Sequence, residues 1–292
     1  MSGARLLLPA LLAATLGGCL DETWTADQAL IGAETTDDYP FVVATRWVKH
    51  DFDKVICTGV LVAPDWVLTV AHCVPDEWDA DFSEVLVGPS YAAAAQSLAI
   101  AEVFVHPGRD PQGTWLEGYP DVALLRLDGC ADAVPIDVPE GPVLDESWIG
   151  ESFLVVSYGR FDEAQPADGL KRVGQFRFSA IEDLSVAYAG LDGVDTTLGD
   201  SGAPALVVLG DGLQAVALHR GDTGQLEGSR LDAVAMFVRD TVEPSPDCEA
   251  QDDPPDDDEG CACAADARLG PAAAGVALAA LLLYWRRGRS GP

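Results

Sequence analysis

The apolar residues of the middle part of the chain occur in short, valine-rich runs. Examples are FVVATRWV (41–48), GVLVAPDWVLTV (59–70), EVLVG (84–88), AIAEVFV (99–105), DVALLRL (121–127), SFLVVSYG (152–159) and LQAVALH (213–219). Glycine, proline and aspartate separate these runs at a regular spacing. Such a pattern predicts β-strands, and it favours an all-β sandwich or a pair of barrels over a parallel α/β sheet.

The N-terminus differs in composition from this middle part. One positive charge, Arg5, precedes an apolar core and then small residues, so residues 1–19 are typical of a secretory signal. Within it, LGGC (16–19) resembles a bacterial lipobox, which implies cleavage before Cys19 and lipidation of that cysteine. Ordinary signal cleavage nearby is the alternative. Residues 20–29 are predicted to form a short pro-segment.

The C-terminus is an acidic stretch followed by an apolar one. Residues 246–263 contain Asp252 to Glu259 and a Cys-Ala-Cys motif, and their charge and prolines predict a solvated linker. Residues 264–292 hold an apolar run followed by three arginines, and they resemble the C-terminal sorting tails of myxobacterial exported proteins. We therefore favour a membrane anchor or sorting signal over a buried terminal helix.

Composition narrows the functional classes. The formal net charge is −31, and the chain lacks the clustered lysines and arginines that bind phosphates, so nucleic acid is not an expected partner. The two ends together predict an exported protein of the cell envelope or cell surface. Attachment is expected through an N-terminal lipid, the C-terminal segment or both, with release from the cell as the alternative.

Three separated stretches carry residue types that can act together. LTVAHC (68–73) places His72 at the end of a predicted strand, and DVALLRL places Asp121 directly before another. TLGDSGAP (197–204) places Ser201 in a glycine-rich turn before an apolar run. Taken singly, each residue is more typical of a turn, a cap or a surface histidine. Cys57 and Cys73 are sixteen residues apart and bracket a predicted hairpin, so a disulfide could tie the loop of His72 to the opposite strand.

Taken in order, LTVAHC, DVALLRL and GDSGAP, with the spacing of Cys57 and Cys73, resemble the trypsin-like serine proteases. The resemblance covers roughly residues 30–242. It implies the chymotrypsin fold: two six-stranded antiparallel β-barrels with a short C-terminal helix, in a peptidase domain at 30–245.

The same resemblance implies the roles of the candidate residues. A serine hydroxyl becomes a nucleophile when an imidazole accepts its proton, which makes Ser201 the nucleophile and His72 the base. Asp121 would orient the imidazole and stabilise its charged form. The backbone N–H groups of Gly199 and Ser201 are expected to bind the developing oxyanion.

An activation pair is also implied. LIGAE (30–34) is similar to the first residues of mature family members, so the amino group of Leu30 is expected to pair with Asp200 after cleavage. An unpaired buried carboxylate is costly, so cleavage could switch on the oxyanion site. The residue before Leu30 is Ala29 and not a basic residue, so a trypsin-type activator is not expected to cut there.

For the specificity pocket the resemblance points to Asp195, six residues before the nucleophile, and to His219, Arg220 and Gly221. An aspartate at the first position implies a preference for arginine or lysine. The alternative is one more loop acid in an acidic chain. The cysteines that usually clamp this pocket are missing from the sequence, and Arg220 could neutralise Asp195 directly.

Cys130 and Cys248 are the other two cysteines of the folded span, and we predict that they pair, although sequence does not specify connectivity. No metal or cofactor is expected. The leading hypothesis is a secreted or surface-attached serine endopeptidase that acts on protein or peptide substrates. A catalytically silent, protease-like binding or adhesion module is the alternative, and hydrolysis of esters or small amides is a third option.

Overall fold

The computed structural model of this chain describes residues 30, 32–48, 54–77, 79–108, 120–159, 168–222 and 226–249. The predicted signal with Cys19, the pro-segment at 20–29 and the predicted C-terminal segment at 264–292 lie outside the described residues, as does the chain from residue 250 onwards. Among the described residues, no helix combines the length and the apolar character needed to cross a membrane.

Most of the described chain is β-structure. The strands are β1 Glu34–Thr35, β2 Val42–Val48, β3 Lys54–Ala63, β4 Trp66–Thr69, β5 Glu84–Val87, β6 Gln96–Val105, β7 Ala123–Leu127, β8 Ser152–Ser157, β9 Arg172–Ile181, β10 Ser185–Gly190, β11 Pro204–Leu209, β12 Gly212–Asp222 and β13 Leu226–Arg230. Two short helices follow, α1 Ala235–Thr241 and α2 Pro246–Glu249. The seven apolar runs of the sequence all fall on strands, whereas β1, β9, β10, β11 and β13 lie outside those runs.

Strands β2 to β7 close into the first barrel, in the order β2-β3-β4-β7-β6-β5, and every pairing is antiparallel. Alternation along each strand separates two apolar clusters, because successive side chains point to opposite faces. On β2, Val43 and Trp47 belong to one cluster, while Val42 and Ala44 belong to the other. Both faces of this barrel are therefore covered, which explains why β2 is almost entirely buried.

Strands β8 to β13 form the second barrel. The sheet order is β9-β10-β13-β12-β11-β8, and a direct pairing of β8 with β9 closes it, while β1 adds to β9. Its core is rich in aromatic residues, with the rings of Phe153 and Phe178 stacked at 4.1 Å between centroids and Tyr188 edge-on to Phe153. The predicted two-barrel architecture is confirmed.

The two barrels share one apolar cluster. It joins Val42 and Leu68 of the first barrel to Val156, Tyr158 and Leu206 of the second. The hydroxyl of Tyr158 donates to the carbonyl oxygen of Val42 at 3.0 Å, so the junction is also hydrogen-bonded. This packing fixes the loops that lie at the junction.

Both predicted cysteine pairs are disulfide-bonded in the structure, Cys57 with Cys73 and Cys130 with Cys248. The second pair lies beside a docked C-terminal segment, where the indole N–H of Trp66 donates to the Glu243 carbonyl at 3.0 Å. The folded part of the chain thus continues through α2, past the predicted end of the peptidase domain at residue 245.

Candidate active site

Strand register brings His72 and Asp121 together. Thr69 of β4 pairs with Ala123 of β7 in an antiparallel ladder. The chain just after Thr69 therefore lies next to the chain just before Ala123. His72, three residues after Thr69, is in a 3-10 turn at Ala71–Cys73, and Asp121 is two residues before Ala123.

Asp121 contacts His72 at two points. One carboxylate oxygen, Oδ1, accepts from the His72 backbone N–H at 2.9 Å, and Oδ2 lies 2.5 Å from the ring nitrogen Nδ1. Both side chains are largely buried, with 21% and 16% of their surfaces exposed. A carboxylate at Nδ1 holds the proton on that nitrogen, which leaves Nε2 of the neutral ring as an acceptor.

Ser201 belongs to the second barrel, in the turn that we call the serine loop, residues 197–203. This loop docks on β3 of the first barrel. The carbonyl oxygen of Ser201 accepts from the Thr58 N–H at 2.8 Å, and the carbonyl oxygen of Gly199 accepts from the Thr58 hydroxyl at 3.0 Å. Thr58 follows Cys57, so the serine loop is held next to the disulfide that carries the histidine turn.

One sulfur atom lies close to both predicted catalytic residues. Cys73 Sγ is 3.8 Å from His72 Nε2 and 3.9 Å from the Ser201 carbonyl oxygen. The Ser229 hydroxyl, on β13, donates to the Asp121 carbonyl oxygen at 3.3 Å. The histidine turn, Asp121 and the backbone of the serine loop therefore lie near one another where the two barrels join.

Glycines allow the serine loop to approach β3 so closely. Gly199 and Gly202 have φ values of 101° and 86°, which side-chain-bearing residues rarely adopt. A Cβ on Gly202 would lie 2.0 Å from the Thr58 carbonyl oxygen. Within the described part of the chain, the N–H groups of Gly199 and Ser201 donate to no other group.

The side chain of Asp200, within the serine loop, is fully buried. Its Oδ1 accepts from the Ser157 hydroxyl at 2.5 Å and from the Gly159 N–H at 3.0 Å, and its Oδ2 accepts from the Thr197 N–H at 2.7 Å. Burial raises the pKa of Asp200 to about 7, although these hydrogen bonds and the charge of Arg172 act to lower it. Leu30, its predicted activation partner, is also fully buried, in the core of the second barrel.

The comparisons with known proteins agree with this geometry. The trypsin family model matches residues 32–229, which is more than half of the chain. The chain belongs to the trypsin family of serine proteases. Phenoloxidase-activating factor 3 of Holotrichia diomphalia is 26% identical over 64% of this chain, which spans 62% of that relative's length. Kallikrein 1-related peptidase b26 of Mus musculus is 27% identical over 69% of this chain and 82% of the relative.

A solved structure shows the same fold at low identity. The scabies mite inactivated protease paralogue S-I1 superposes with a TM-score of 0.58 and 19% identity, and the match covers 71% of this chain and 97% of that one. At this level of identity the likeness concerns the fold alone. It shows that the two-barrel architecture of the trypsin family is present here.

Asp195 and Arg220, two of the predicted pocket residues of this trypsin-family chain, have different contacts in the structure. Asp195 is exposed, and its Oδ1 accepts from the neighbouring Thr196 N–H at 2.8 Å. Arg220 is buried, and the carboxylate that it contacts among the described residues is that of Glu227, not that of Asp195. The expectation that Arg220 neutralises Asp195 is thus wrong, because β12 pairs with β13 and brings Glu227 to Arg220 instead.

His219 of β12 connects this strand to the serine loop through backbone hydrogen bonds. Its carbonyl oxygen accepts from the Gly202 N–H at 2.7 Å, and its own N–H donates to the Ala203 carbonyl at 2.8 Å. Its ring nitrogen Nδ1 lies 2.5 Å from the Tyr188 hydroxyl. Gly221, with φ of 141°, follows in the same strand and faces Glu227 in the register.

Sequence reasoning missed three residues that contact the site: Ser157, Tyr188 and Glu227. Ser157 and Tyr188 lie in strands whose register with the serine loop is not visible in the chain order. Glu227 is one acid among many in a chain of 48 acidic residues. A strand prediction for LEGSR, paired with the HRGD end of β12, could have identified Glu227.

The part of the chain that the structure describes contains no clear candidate for a metal site. No group of three or more histidine, cysteine, aspartate or glutamate residues is arranged there to hold a metal ion.

Proposed function

We propose that this trypsin-family protein is an endopeptidase that hydrolyses peptide bonds of protein substrates with Ser201, His72 and Asp121. The observation that carries the proposal is the two-point contact between Asp121 and His72, beside the serine loop at the barrel junction. That contact supports the tautomer in which Nδ1 carries the proton and Nε2 is the accepting nitrogen, which is what activation of a serine hydroxyl requires.

The reaction proceeds in two halves. Ser201 Oγ attacks the carbonyl carbon while its proton passes to His72 Nε2, and the oxygen of the substrate carbonyl takes up the negative charge. His72 then gives the proton to the leaving amine, the C–N bond breaks, and an acyl-serine ester remains. Water repeats the sequence: it loses a proton to His72, attacks the ester, and releases the carboxylic acid as Ser201 recovers its proton.

The oxyanion is expected to bind to the N–H groups of Gly199 and Ser201. Support comes from their backbone: the described part of the chain offers no other acceptor to either N–H, and Thr58 anchors the carbonyl groups of the same two residues. Donors that are already oriented need not reorganise as charge develops, and each such donor typically contributes about 2.7–4 kcal/mol to transition-state stabilisation.

Activation by cleavage before Leu30 is part of the proposal. The three groups that donate to the Asp200 carboxylate are neutral, and no lysine or arginine among the described residues forms a salt bridge with it. A new ammonium group at Leu30 would supply the missing positive charge and hold Asp200 ionised. Such a pair would stabilise the serine loop in the form that binds the oxyanion.

We also propose that the protein is exported and attached to the cell envelope through its predicted N-terminal lipid at Cys19, its C-terminal sorting segment or both. The two disulfides support export, because such bonds persist in oxidising compartments. Labelled fatty acid incorporated in the wild-type chain and lost in Cys19→Ala would support the lipid. Equal incorporation in both would contradict it.

The decisive experiment on function replaces the nucleophile. Ser201→Ala should lower kcat by about 10⁶ on a peptide substrate and abolish labelling by an organophosphonate probe. Ser97→Ala, which removes an exposed hydroxyl on β6, is the matched control and should retain both. If the wild-type protein is neither labelled nor active after its mature N-terminus has been mapped to Leu30, the endopeptidase proposal is wrong.

The alternative remains a protease-like binding module. The presence of all three catalytic residue types weighs against it, and the name of the scabies mite neighbour shows that this fold also occurs in an inactivated protein. A mature chain that retains residues 20–29 would leave Asp200 without its ammonium partner. That result would favour the binding module, or an enzyme with another mode of activation.

A further inference from the structure

Thr58, a fully buried residue of β3, has every one of its polar groups in a hydrogen bond. Its backbone N–H donates to the Ser201 carbonyl oxygen at 2.8 Å, and its carbonyl oxygen accepts from the Thr69 hydroxyl at 2.7 Å. Its hydroxyl has two partners: it donates to the Gly199 carbonyl oxygen at 3.0 Å and accepts from the Tyr158 N–H at 3.1 Å. The side chain therefore joins the serine loop to the residue that follows β8.

The contacts of Thr58 lie on the peptide units around the expected oxyanion donors. The Ser201 N–H belongs to the unit between residues 200 and 201, and the units on either side of it present the two carbonyl groups that Thr58 binds. A peptide unit is planar, so a contact that fixes its carbonyl group also fixes its plane. Two planes held from outside leave little freedom to the unit between them, and this aims the Ser201 N–H.

Gly199 depends on such an outside contact more than another residue would. Its φ of 101° is a conformation that glycine enters without steric cost and can leave as readily. The Thr58 hydroxyl binds the carbonyl oxygen of this glycine and so favours one conformation over the others. Rotation about Gly199 would otherwise turn its N–H away from the position of the oxyanion.

Asp200 makes a second connection between the same two segments. Its carboxylate accepts from the Ser157 hydroxyl and the Gly159 N–H, the groups on either side of Tyr158. That connection involves a buried acid that titrates, whereas the Thr58 hydroxyl is neutral. Thr58 thus holds the serine loop without requiring a charged partner.

We propose that the Thr58 hydroxyl is a positioning group for catalysis, which keeps the N–H groups of Gly199 and Ser201 aimed at the oxyanion. This inference rests on the proposed endopeptidase function and adds a side chain of the first barrel to its machinery. Thr58 acts through the serine loop and not by touching the substrate. Its effect is therefore expected in the transition state, where the oxyanion forms, and not in the binding of the uncharged substrate.

The kinetic test removes the hydroxyl and keeps the volume of the side chain, in the full-chain protein after its N-terminus has been mapped. Thr58→Val should lower kcat about tenfold on the best substrate of a tetrapeptide p-nitroanilide library, less than the loss of about 10²–10³ on outright removal of an oxyanion donor. KM should stay within about twofold of the wild-type value. Organophosphonate titration gives the concentration of active enzyme, so a loss of stability cannot imitate the effect.

A transition-state analogue isolates the oxyanion. A trifluoromethyl ketone of the same peptide forms a hemiketal with Ser201, and the oxygen of this hemiketal occupies the place of the oxyanion. Thr58→Val should bind this inhibitor about tenfold more weakly, in proportion to the fall in kcat/KM. A residue with a structural role alone would not change the two quantities together while KM stays constant.

Three variants separate the hydroxyl from the rest of the side chain. Thr58→Ser keeps the hydroxyl and should retain kcat within about threefold, whereas Thr58→Ala lacks it, adds no bulk and should lose as much as the valine variant. Thr45→Val is the matched control, because Thr45 is equally buried on the neighbouring β2 and its hydroxyl has no hydrogen-bond partner among the described residues. It should leave kcat and inhibitor affinity within about twofold of the wild type.

Hydrogen exchange, measured by mass spectrometry, tests the hold on the serine loop without turnover. The Tyr158 amide loses its acceptor in Thr58→Val, so the fragments that contain Tyr158 and the serine loop should exchange at least about tenfold faster. The same fragments of Thr58→Ser and Thr45→Val should exchange as in the wild type.

Failure of the inference and failure of the proposed function give different results. An active wild type whose kcat and inhibitor affinity are unchanged in Thr58→Val would overturn the inference. So would a Thr58→Ser enzyme as slow as Thr58→Val, since packing of the methyl group would then be responsible. A wild type that is inactive and unlabelled, with faster exchange in Thr58→Val, would overturn the proposed function while supporting the hold of Thr58 on the serine loop.

Discussion

The two barrels bury different kinds of polar residue. In the first barrel the buried polar residues are four hydroxyl side chains and one acid, Asp65. In the second barrel they include all the buried lysines and arginines of the described residues, together with Asp200, Glu227 and Asp232. The first barrel thus buries few charged side chains, whereas the second buries several, among them Asp200 of the serine loop and the ion-paired Glu227 and Asp232.

This difference separates two tasks in the proposed mechanism. The first barrel orients the base: strand register and a disulfide place His72 against the largely buried carboxylate of Asp121. The second barrel carries the nucleophile and the features that a switch requires, since buried charges respond to cleavage and pH. Each prediction below tests one side of this division.

Among the tests of this division between the barrels, the largest expected effect comes from the contact between Asp121 and His72 in the first barrel. Asp121→Asn should lower kcat/KM by about 10⁴-fold, because an amide at Nδ1 favours the wrong tautomer of His72. Thermal unfolding should change little by comparison. Asp128→Asn, at the exposed other end of the same strand, is the control for kinetics and melting. An Asp121→Asn enzyme within tenfold of the wild type would refute the orienting role.

The second prediction concerns the pH dependence that Asp200 gives to the uncleaved protein. Its folded-state pKa of about 7 lies above the ordinary value of 3.8, so between these pH values the folded state keeps a proton that the unfolded state releases. The contribution of Asp200 to the free energy of unfolding should therefore fall as the pH rises from about 4 to 7, by about 4 kcal/mol in total.

Denaturant unfolding at several pH values checks this contribution, with Asp200→Asn as the reference, since the asparagine cannot titrate. The wild type should lose stability relative to the variant as the pH rises, and cleavage before Leu30 should remove the difference by supplying an ammonium group. Parallel stability curves for the uncleaved wild type and the variant would show that Asp200 stays ionised throughout.

The third prediction concerns the close contact between the serine loop of the second barrel and β3 of the first. Gly202→Ala should destabilise the protein by about 3 kcal/mol, because a methyl group would collide with the Thr58 carbonyl and φ is positive. Gly210→Ala is the matched control: it has φ of 59° and no atom within 4 Å of the added carbon, so about 1 kcal/mol is expected. Equal losses in urea unfolding would mean that the close approach to β3 carries no cost.

The smallest effects on stability and activity are expected when either of two buried tyrosine hydroxyls is removed. Tyr158→Phe, which removes a hydrogen bond to Val42 at the junction, and Tyr188→Phe, which removes one beside His219, should each cost about 1 kcal/mol of stability. Only Tyr188→Phe should also lower kcat/KM, by about threefold, since it loosens His219 beside the serine loop. A larger kinetic effect of Tyr158→Phe would contradict the division of tasks between the barrels.

Sequence order and residue type predicted much of the site. The motifs around His72, Asp121 and Ser201 are short and local. A strand end before a cysteine and a glycine-rich turn can each be recognised in the sequence alone. The alternation of apolar residues predicted the strands, because a strand with one or both faces buried must show that pattern wherever it pairs. The Cys57–Cys73 disulfide followed from the spacing across a hairpin.

Partners that meet only across strands were not predictable in the same way. Ser157 contacts Asp200 over 43 residues of chain and Tyr188 contacts His219 over 31, and nothing local to either residue marks the meeting. Even Arg220 and Glu227, seven residues apart, depend on the bulged register of β12 against β13. The amino-acid sequence thus determined the family and the candidate reacting groups, since these are carried by short local motifs. Only the tertiary structure decided which buried charges face each other, because register and closure of the barrels set those distances.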